Sequence, residues 1–359
     1  LLMPNRGKYT IDELANELFG QSASDGGLDW VWRLHQDLRP KIQHDLEDLY
    51  TRIELPLAPV LAAMEEVGIL LDVPVLESMS ETIGTEIEGL TAAIYELAGE
   101  AFNINSPKQL GVILFEKLNL PPSKKLKKSG QYSTGVEVLE DLAENYELPR
   151  LILEYRQRAK FKSTYVDVLP KLIDSEHGRL HTSLNQTGAA TGRLSSSDPN
   201  LQNIPVRTQM GRDIRAAFIP RAGTTMFSAD YSQVELRVLA HMSGDTGLIE
   251  AFLADADIHR STAAEVLGIA LEDVDTEQRS RAKAINFGIV YGQTPYGLAK
   301  QLGISRDEAE EFIDRYFSRY PQVRDYIEKA LVEARDTGQT KTLFGRIRQI
   351  PEINSKNGM

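Results

Sequence analysis

The sequence of 359 residues contains no cysteine, which excludes both a disulfide framework and a thiolate metal site. Long apolar runs are also missing, and stretches such as Val67 to Leu71 are far too short to cross a bilayer. No N-terminal secretory signal is recognisable. We therefore expect a protein of the reducing cytoplasm with no membrane partner.

Excess positive charge is also lacking, because the formal net charge is −12 at pH 7. A negative total argues against a general polyanion binder, since contacts to phosphate need local positive potential. Basic residues nevertheless cluster in three segments: Lys124, Lys125, Lys127 and Lys128; Arg156, Arg158, Lys160 and Lys162; and Arg279, Arg281 and Lys283. Each cluster is either a phosphate contact or a solvated helix face, and the charge pattern leaves both interpretations open.

The composition, with 42% hydrophobic and 26% charged residues, is that of a soluble globular protein long enough for two or three domains. Apolar spacing predicts helices at 9–19, 76–97, 139–161 and 233–242, and almost only helix from 258 onward, interrupted at Pro321. A basic loop at 121–130 separates the second and third of these helices. This arrangement predicts a helical hairpin with a positively charged tip.

Short strands are predicted at 68–71, 179–184 and 224–229, where apolar residues lie between turn-forming segments. A long segment at 187–205, rich in Thr, Gly, Ser, Asp, Asn and Pro, follows the second of them. Long irregular loops inside compact domains are usually functional. We therefore expect this loop to carry part of a site.

An acidic residue, Asp230, stands where the last predicted strand gives way to a helix. It would then lie at a strand edge and face a cleft. A carboxylate in that position can hold Mg²⁺, which prefers oxygen ligands and keeps room for substrate phosphates. The alternative is that Asp230 merely caps the following helix, which is a common role for Asp.

Two cations and two aromatic residues recur at intervals of four: Arg279, Lys283, Phe287 and Tyr291. On an α-helix this spacing places them along one face, where they could meet a triphosphate and then a base. The alternative is an ordinary amphipathic helix with buried aromatics and exposed bases. Gly288 and Gly292 weigh against it, because glycine weakens a helix and indicates a close approach of other atoms or a hinge.

These segments resemble motifs of the bacterial DNA polymerase I family, also called family A. Residues 227–237 are similar to its first catalytic motif, 279–292 to its nucleotide-binding fingers helix, and 191–207 to its primer-template contact loop. Three long motifs in the same order are highly specific, and the similarity runs from about residue 53 to the C-terminus. The resemblance implies an α+β fold with right-hand polymerase architecture, in which helical thumb and fingers flank a palm sheet that is incomplete here.

The resemblance also implies a division of the chain. Residues 1–52 would be the C-terminal tail of an exonuclease-like domain, 53–73 the start of the palm, 74–159 the thumb, 160–255 the palm and 256–359 the fingers. The remainder of the palm would be absent from the chain. Exonuclease activity is not assigned, because residues 1–52 contain no matching set of acidic residues.

The implied activity is that of a template-directed DNA polymerase, which adds deoxynucleotides to a primer 3′-hydroxyl by two-metal phosphoryl transfer and releases pyrophosphate. Its cofactors would be two Mg²⁺ ions, and its partners primer-template DNA and deoxynucleoside triphosphates. The protein would act as a monomer. Asp230 would be the catalytic metal-binding acid, and the backbone carbonyl of Tyr231 would help to hold a metal ion.

The resemblance assigns two further groups of residues. The nucleotide-binding group is Arg279, Lys283, Phe287, Tyr291, His259, Gln233 and Glu235. Within it, Glu235 would be a steric gate whose bulk below the sugar excludes a 2′-hydroxyl. The DNA-binding group is Arg193, Gln202, Asn203, Arg207 and Lys160. Arg193 would reach the minor groove, where correct pairs share their hydrogen-bond acceptors.

The sequence departs from the family in one respect, because it contains no His-Asp-Glu motif, whose Asp is the second metal ligand. We therefore expect a truncated polymerase that is inactive alone, since one carboxylate is a poor substitute for a two-metal clamp. A rival interpretation is a non-catalytic fragment that binds primer-template DNA, which a primer-extension assay would distinguish. A second rival is a single-subunit RNA polymerase, which Glu235 argues against because a ribonucleotide enzyme needs room at that place.

Overall fold

A computed structural model of the chain describes residues 1–5, 9–23, 27–42, 45–121, 132–206 and 208–355. In chain order the helices of these ranges are α1 (Ile11–Phe19), α2 (Leu28–Leu38), α3 (Asp45–Leu49), α4 (Leu55–Val67), α5 (Val73–Ala98), α6 (Pro107–Gly111), α7 (Val136–Ala143), α8 (Glu147–Phe161), α9 (Gln209–Ala216), α10 (Val234–Ser243), α11 (Thr246–Leu253), α12 (Ile258–Leu267), α13 (Thr276–Val290), α14 (Pro295–Leu302), α15 (Arg306–Arg319) and α16 (Pro321–Thr337). Turns of π type lie at Tyr50–Glu54, Val112–Lys117 and Lys162–Val166. Among the described residues, no helix is both long and apolar enough to cross a membrane.

The strands are short and pair in antiparallel fashion. They are β1 (Leu70–Leu71), β2 (Ser183–Asn185), β3 (Ser195–Ser197), β4 (Phe218–Ile219), β5 (Gln339–Lys341) and β6 (Ile347–Gln349). In the described ranges β1 pairs with β4, β2 with β3, and β5 with β6. Many helices with small antiparallel sheets agree with the α+β class expected from the sequence.

The chain divides into two compact units, which are described separately. The first unit comprises residues 1–56, 187–193 and 228–359, and the second comprises 57–186 and 194–227. The core of the first unit lies among α10 to α16 and includes Leu236, Ile285 and Tyr316. Asp245 is buried in this core, where its carboxylate accepts hydrogen bonds from the N–H groups of Leu248 and Gln322. These two bonds fix the starts of α11 and α16.

The second unit has two hydrophobic clusters. One joins the C-terminal end of α5 to α6, α7 and α8 and includes Ile94, Leu114 and Ile152. The other surrounds the N-terminal part of α5 and includes Leu76 and Leu180. The predicted helical hairpin is therefore present, although its basic tip, Lys124 to Lys128, lies outside the described residues.

Three predictions of local structure are corrected by the fold. The segment 224–229 is irregular and exposed, because no strand in the described ranges lies beside it to satisfy its backbone groups. The single helix predicted at 139–161 is two helices, α7 and α8, separated by a turn at 144–146. The region after 258 is helical only as far as Thr337 and then forms the hairpin of β5 and β6.

Candidate functional site

A capping box determines where α13 begins. The Asp275 carboxylate accepts a hydrogen bond from the Gln278 N–H at 2.7 Å, and the Gln278 side chain accepts one from the Asp275 N–H at 2.9 Å. With the first turn fixed in this way, Arg279, Lys283 and Phe287 follow on one face at intervals of about one turn. The structure therefore brings together the cations and the aromatic residue that the sequence spacing had grouped.

The C-terminal end of this face carries a stacked aromatic pair. The rings of Phe287 and Tyr291 are 6.4 Å apart between centroids and inclined by 15°, and Tyr291 is 63% exposed. Lys283 Nζ lies 5.9 Å from the Phe287 centroid. Within the described part of the chain, exposed Lys283 makes no ion pair. The alternative of an ordinary helix with buried aromatics does not fit the exposed ring of Tyr291.

Arg279 is held by an acidic residue at the start of α12. Its Nε donates to the Asp257 carboxylate at 2.6 Å, and the other Asp257 oxygen caps α12 by accepting from the N–H groups of His259 and Arg260. Burial alone would raise the pKa of Asp257, but the hydrogen bonds from Arg279 and Arg260 outweigh it and hold that pKa below its ordinary value. Arg279 is thus oriented through Nε, while its terminal nitrogens have no partner in the described ranges.

His259 lies beneath the same face and is only 2% exposed. Burial, assisted by the positive charge of Arg279, lowers the pKa of His259 to about 4, so the ring is neutral at pH 7. Its Nδ1 accepts a hydrogen bond from the Asn286 side-chain amide at 2.9 Å, and Thr262 donates to the other end of that amide. The ring proton therefore resides on Nε2. The His259 and Phe287 rings lie 5.9 Å apart, whereas a contact of His259 with phosphate stays a prediction.

The two glycines of this segment have different roles. At Gly288 an added Cβ would lie 2.3 Å from Oε1 of Gln293, whose side chain covers this side of the helix. At Gly292 the backbone has φ +69° and ends α13, with open space around it. The close approach suspected from the sequence is thus made at Gly288 by a side chain rather than by another backbone.

Asp230 and Tyr231 precede α10 in an exposed, irregular stretch. The strand edge predicted for Asp230 is absent, and so is its alternative role as a helix cap, because Gln233 occupies the N-cap position with φ 53°. No donor in the described ranges contacts the Asp230 carboxylate, which leaves its oxygens available to a hard cation. One carboxylate with a backbone carbonyl fits part of a Mg²⁺ shell, since such sites complete their coordination with water and substrate phosphates.

Glu235 occupies the second position of α10, where the helix dipole favours negative charge. Its carboxylate lies 4.0 Å from the guanidinium of Arg193, and their side chains are 38% and 72% exposed. The backbone before Arg193 is fixed by Gly192, which has φ +83° and whose missing Cβ leaves room for the guanidinium of Arg346. The structure therefore places one predicted nucleotide contact beside one predicted DNA contact.

Two further predicted DNA contacts lie on a loop of the second unit. Gln202 and Asn203 are exposed between residues that pack inward. The loop is held by Ser196, whose buried hydroxyl accepts from the Leu201 N–H at 3.0 Å, and by Tyr165, which donates to the Asn203 carbonyl at 2.5 Å. The backbone is thus anchored; the Gln202 side-chain amide donates to the Leu194 carbonyl at 3.2 Å, and the Asn203 side chain is exposed. Arg207 lies outside the described residues.

Lys160 differs from its neighbours in the second basic cluster. Arg158 pairs with Glu86 at 2.6 Å, and Lys162 pairs with Asp167 at 2.7 Å, so both cations are partly neutralised inside the second unit. Lys160 is exposed and makes no ion pair among the residues that the structure describes. Of these three cations, Lys160 is therefore the one left available to an external anion.

The residues that hold this face from behind were not predicted from the sequence. Asp257, Thr262 and Asn286 fix Arg279 and His259, yet none belongs to the spacing that identified α13. Only Asp257 had a local signal, because it immediately precedes the apolar start of a helix, as N-cap residues do. The buried pair of Thr262 and Asn286 becomes visible only when α12 and α13 pack together.

Comparison with known proteins gives consistent matches. Residues 73–359 match the family model described as DNA polymerase family A. DNA polymerase I of Pseudomonas aeruginosa is 51% identical over 98% of this chain and 39% of its own length, and that of Caldicellulosiruptor bescii is 53% identical over 86% and 36%. The POL domain of Pol1 from M. smegmatis, solved in complex with DNA primer-template and dNTP, aligns with a TM-score of 0.88 and 39% identity, over 99% of this chain and 63% of its own. The chain thus spans well under half the length of these two curated relatives.

Proposed function

Because the chain belongs to DNA polymerase family A, we propose that it supplies most of the nucleotide-binding and primer-binding parts of a template-directed DNA polymerase. In this proposal residues 1–52 are the end of an exonuclease-like domain, 74–159 the thumb and 256–359 the fingers. Residues 53–73 and 160–255 belong to the palm. The similarity to a solved polymerase bound to primer-template and dNTP supports this assignment.

The reaction is transfer of a nucleotidyl group. The primer 3′-hydroxyl attacks the α-phosphorus of the incoming nucleotide, a new O–P bond forms, and the bond to pyrophosphate breaks. When bound, Mg²⁺ would lower the pKa of the attacking hydroxyl and neutralise charge on the phosphate oxygens. Asp230 and the carbonyl of Tyr231 would hold that cation. A second acid is needed for a two-metal site, so we propose that the 359 residues bind the substrates but extend a primer poorly.

The observation that carries the proposal is the face of α13. Lys283 is exposed and unpaired within the described ranges, and one turn further on the half-buried Phe287 stacks with exposed Tyr291. A phosphate chain would be gripped by Lys283 and by the terminal nitrogens of Arg279, which Asp257 orients from the opposite side. The base or sugar would then rest on the aromatic pair.

The remaining assignments extend this arrangement toward the sugar and the DNA. Glu235 limits the space beneath the sugar, with Gln233 beside it at the start of α10. Arg193 reads the minor groove, and the other proposed DNA contacts are Gln202, Asn203, Arg207 and Lys160. Because His259 is buried and neutral, we propose that it supports Phe287 and can offer phosphate only an uncharged hydrogen bond from Nε2.

Nucleotide binding to the 359-residue chain tests this proposal. A primer-template with a dideoxy-terminated primer prevents extension, and the anisotropy of a fluorescent complementary deoxynucleotide reports binding in the presence of Mg²⁺. We expect Lys283→Ala to weaken nucleotide binding at least about tenfold, because a charge-assisted contact contributes roughly 1.5–3 kcal/mol. The matched control is Arg281→Ala on the same helix, since Arg281 faces away and pairs with Glu277 at 2.9 Å.

Equal losses in the two variants would contradict the assignment of the α13 face. Extension of a primer with a free 3′-hydroxyl distinguishes a DNA polymerase from a non-catalytic fragment that only binds primer-template DNA. The proposal predicts that the 359-residue chain binds the nucleotide but does not extend the primer efficiently. It also predicts that primer extension is gained when a His-Asp-Glu segment is joined to the chain. Binding of primer-template with no selectivity for the complementary nucleotide would instead favour a non-catalytic DNA-binding fragment.

A further inference from the structure

We propose that the second unit contains a binding site for a divalent transition-metal ion, with chemistry best suited to Zn²⁺, formed by Asp174, His177 and His181. One ligand atom from each of these residues lies within 4.8 Å of the others. Two imidazoles with one carboxylate are a ligand set typical of zinc, with a fourth position left for water. None of the three residues belongs to the proposed polymerase site.

The backbone of the turn that carries these residues is closed by its own hydrogen bonds. The Asp174 N–H donates to the Arg179 carbonyl at 2.9 Å, and the Gly178 N–H donates to the Asp174 carbonyl at 2.8 Å. Gly178 has φ +65°, which permits the tight reversal. Leu180 then forms β-bridges with Ile69 and with Ile173. The ligands therefore lie on a constrained turn and on the extended segment that leaves it.

His181 has the environment expected of a metal ligand. Its Nδ1–H donates to the Glu65 backbone carbonyl at 2.7 Å, which leaves the lone pair of Nε2 as the free coordination atom. That Nε2 is buried and has no hydrogen-bond partner. The ring also packs closely on Gly68, where an added Cβ would be 2.8 Å from the imidazole. A carbonyl that orients the ring from Nδ1 while Nε2 stays free is a common outer-shell arrangement in metal sites.

The other two ligands can adjust, because the His177 and Asp174 side chains are 61% and 37% exposed. Their Nδ1 and Oδ2 atoms lie 2.6 Å apart in a hydrogen bond, whereas ligands about 2 Å from a tetrahedral zinc are about 3.3 Å apart. An ion would therefore replace this proton and separate the two atoms slightly. Hydrogen bonds from the His177 N–H, the His177 ring and the Glu176 N–H lower the pKa of Asp174, so its carboxylate is charged at neutral pH.

The alternative is that His177 and Asp174 form only a local ion pair that caps the turn, as three-residue spacing allows. That interpretation accounts for the contact between them. It does not account for the buried, unpartnered Nε2 of His181, whose ring lies 6.2 Å from that of His177 between centroids. An ion shared by the three residues would satisfy this nitrogen and tie the turn to the backbone of α4 through Glu65.

Metal titration of the complete 359-residue chain tests the site. Co²⁺ serves as the probe because its visible absorption reports tetrahedral coordination, and Zn²⁺ is then added in competition. We expect one tight equivalent of Co²⁺ that Zn²⁺ displaces and a tenfold excess of Mg²⁺ does not. His177→Ala should weaken binding by at least about 100-fold, since loss of even an outer-shell partner costs about 10–100-fold.

The matched control is His35→Ala, which removes an exposed histidine of the first unit. It should leave the tight equivalent unchanged, while Asp174→Asn should weaken it as His177→Ala does. Circular dichroism of each variant checks that the chain is folded, and both ligand side chains are accessible enough for this to be expected. Unchanged Co²⁺ affinity in His177→Ala, or the same loss in His35→Ala, would overturn the proposal.

Discussion

His259 gives a stability prediction that depends directly on how α12 and α13 pack. A histidine in the unfolded chain has a pKa near 6.5, whereas burial lowers that of folded His259 to about 4. As the pH falls below 6.5, His259 becomes protonated in the unfolded chain but stays neutral in the folded chain. The stabilising contribution of neutral His259 is therefore complete above pH 6.5 and is lost between about 6.5 and 4.

The size of the effect follows from these two pKa values. Between pH 7 and pH 5 the unfolded state gains about 0.7 of a proton at this site, whereas the folded state, with its pKa of about 4, gains only about 0.1. The resulting loss in the free energy of unfolding is about 2 kcal/mol. Asp257, the acid nearest to the imidazole, has a lowered pKa and stays ionised throughout this interval.

The perturbation is His259→Asn, whose amide oxygen can replace Nδ1 as acceptor for Asn286 but does not titrate. Urea unfolding at pH 7 and pH 5 is followed by the loss of helical circular dichroism, to which α12 and α13 contribute directly. We expect the acid-dependent loss to be about 2 kcal/mol smaller in His259→Asn than in the wild type. His241→Asn, at an exposed position of α10, should keep the wild-type loss.

The comparison between variants cancels the other groups that titrate in the same interval, because they are common to all three proteins. An acid-dependent loss that is equal in wild type and His259→Asn would refute the reasoning. It would mean that His259 takes up its proton in the folded state. The ring could then offer a phosphate group positive charge rather than only an uncharged hydrogen bond.

Further predictions concern catalysis and folding, the first three being measured in a polypeptide that joins these residues to a His-Asp-Glu segment. Asp230→Asn should lower nucleotide incorporation by more than about a hundredfold, because this carboxylate is proposed to hold the metal ion. Primer-template affinity, measured by anisotropy, should stay nearly constant. Incorporation within tenfold of wild type would exclude the metal role. Glu235→Ala should raise ribonucleotide incorporation relative to deoxynucleotide, whereas Glu235→Gln, which keeps the bulk, should not; equal behaviour of the two variants would show that charge rather than size matters. Phe287→Tyr should raise kcat/KM for dideoxynucleotides relative to deoxynucleotides about 100-fold, or about 2.7 kcal/mol. The reason is that the added hydroxyl can make the contact that the 3′-hydroxyl of a deoxynucleotide otherwise makes. An unchanged ratio would indicate that the ring only packs in the core. In thermal denaturation of the 359-residue chain, Gly68→Ala should destabilise the second unit by roughly 2 kcal/mol more than Gly178→Ala. Both glycines have positive φ, but only at Gly68 would an added Cβ lie 2.6 Å from a backbone carbonyl oxygen. Similar losses in the two variants would mean that the strand pairing near Gly68 relaxes to make room.

The features that the sequence predicted well are local ones. The alignment of Arg279, Lys283 and Phe287 follows from helical geometry once α13 forms, and the capping residues Asp275 and Gln278 are neighbours in the chain. The break at Pro321 was predicted for the same reason, since proline lacks the N–H that a continuous helix needs. Family membership, likewise, was indicated by three contiguous motifs and is confirmed by the family match over 73–359.

The errors arose where the local pattern needed a partner from elsewhere. Residues 224–229 include Thr, Met and Phe, which suit a strand, but a strand forms only when a neighbouring strand accepts and donates its hydrogen bonds. The single helix predicted at 139–161 ignored the turn at 144–146, which lets α7 pack back against α8. Apolar spacing continues across that turn because both helices face the same core.

The sequence alone determined which residues are ionisable, which side chains share one face of a helix and to which family the chain belongs. Only the tertiary structure decided the state of particular groups. Burial between α12 and α13 keeps His259 neutral, and the carbonyl of Glu65, 116 residues away in the chain, selects the free nitrogen of His181. The spacing of residues along the chain fixes the direction in which side chains point from one helix or strand. Desolvation and long-range hydrogen bonds, in contrast, depend on which groups the fold places next to a given side chain.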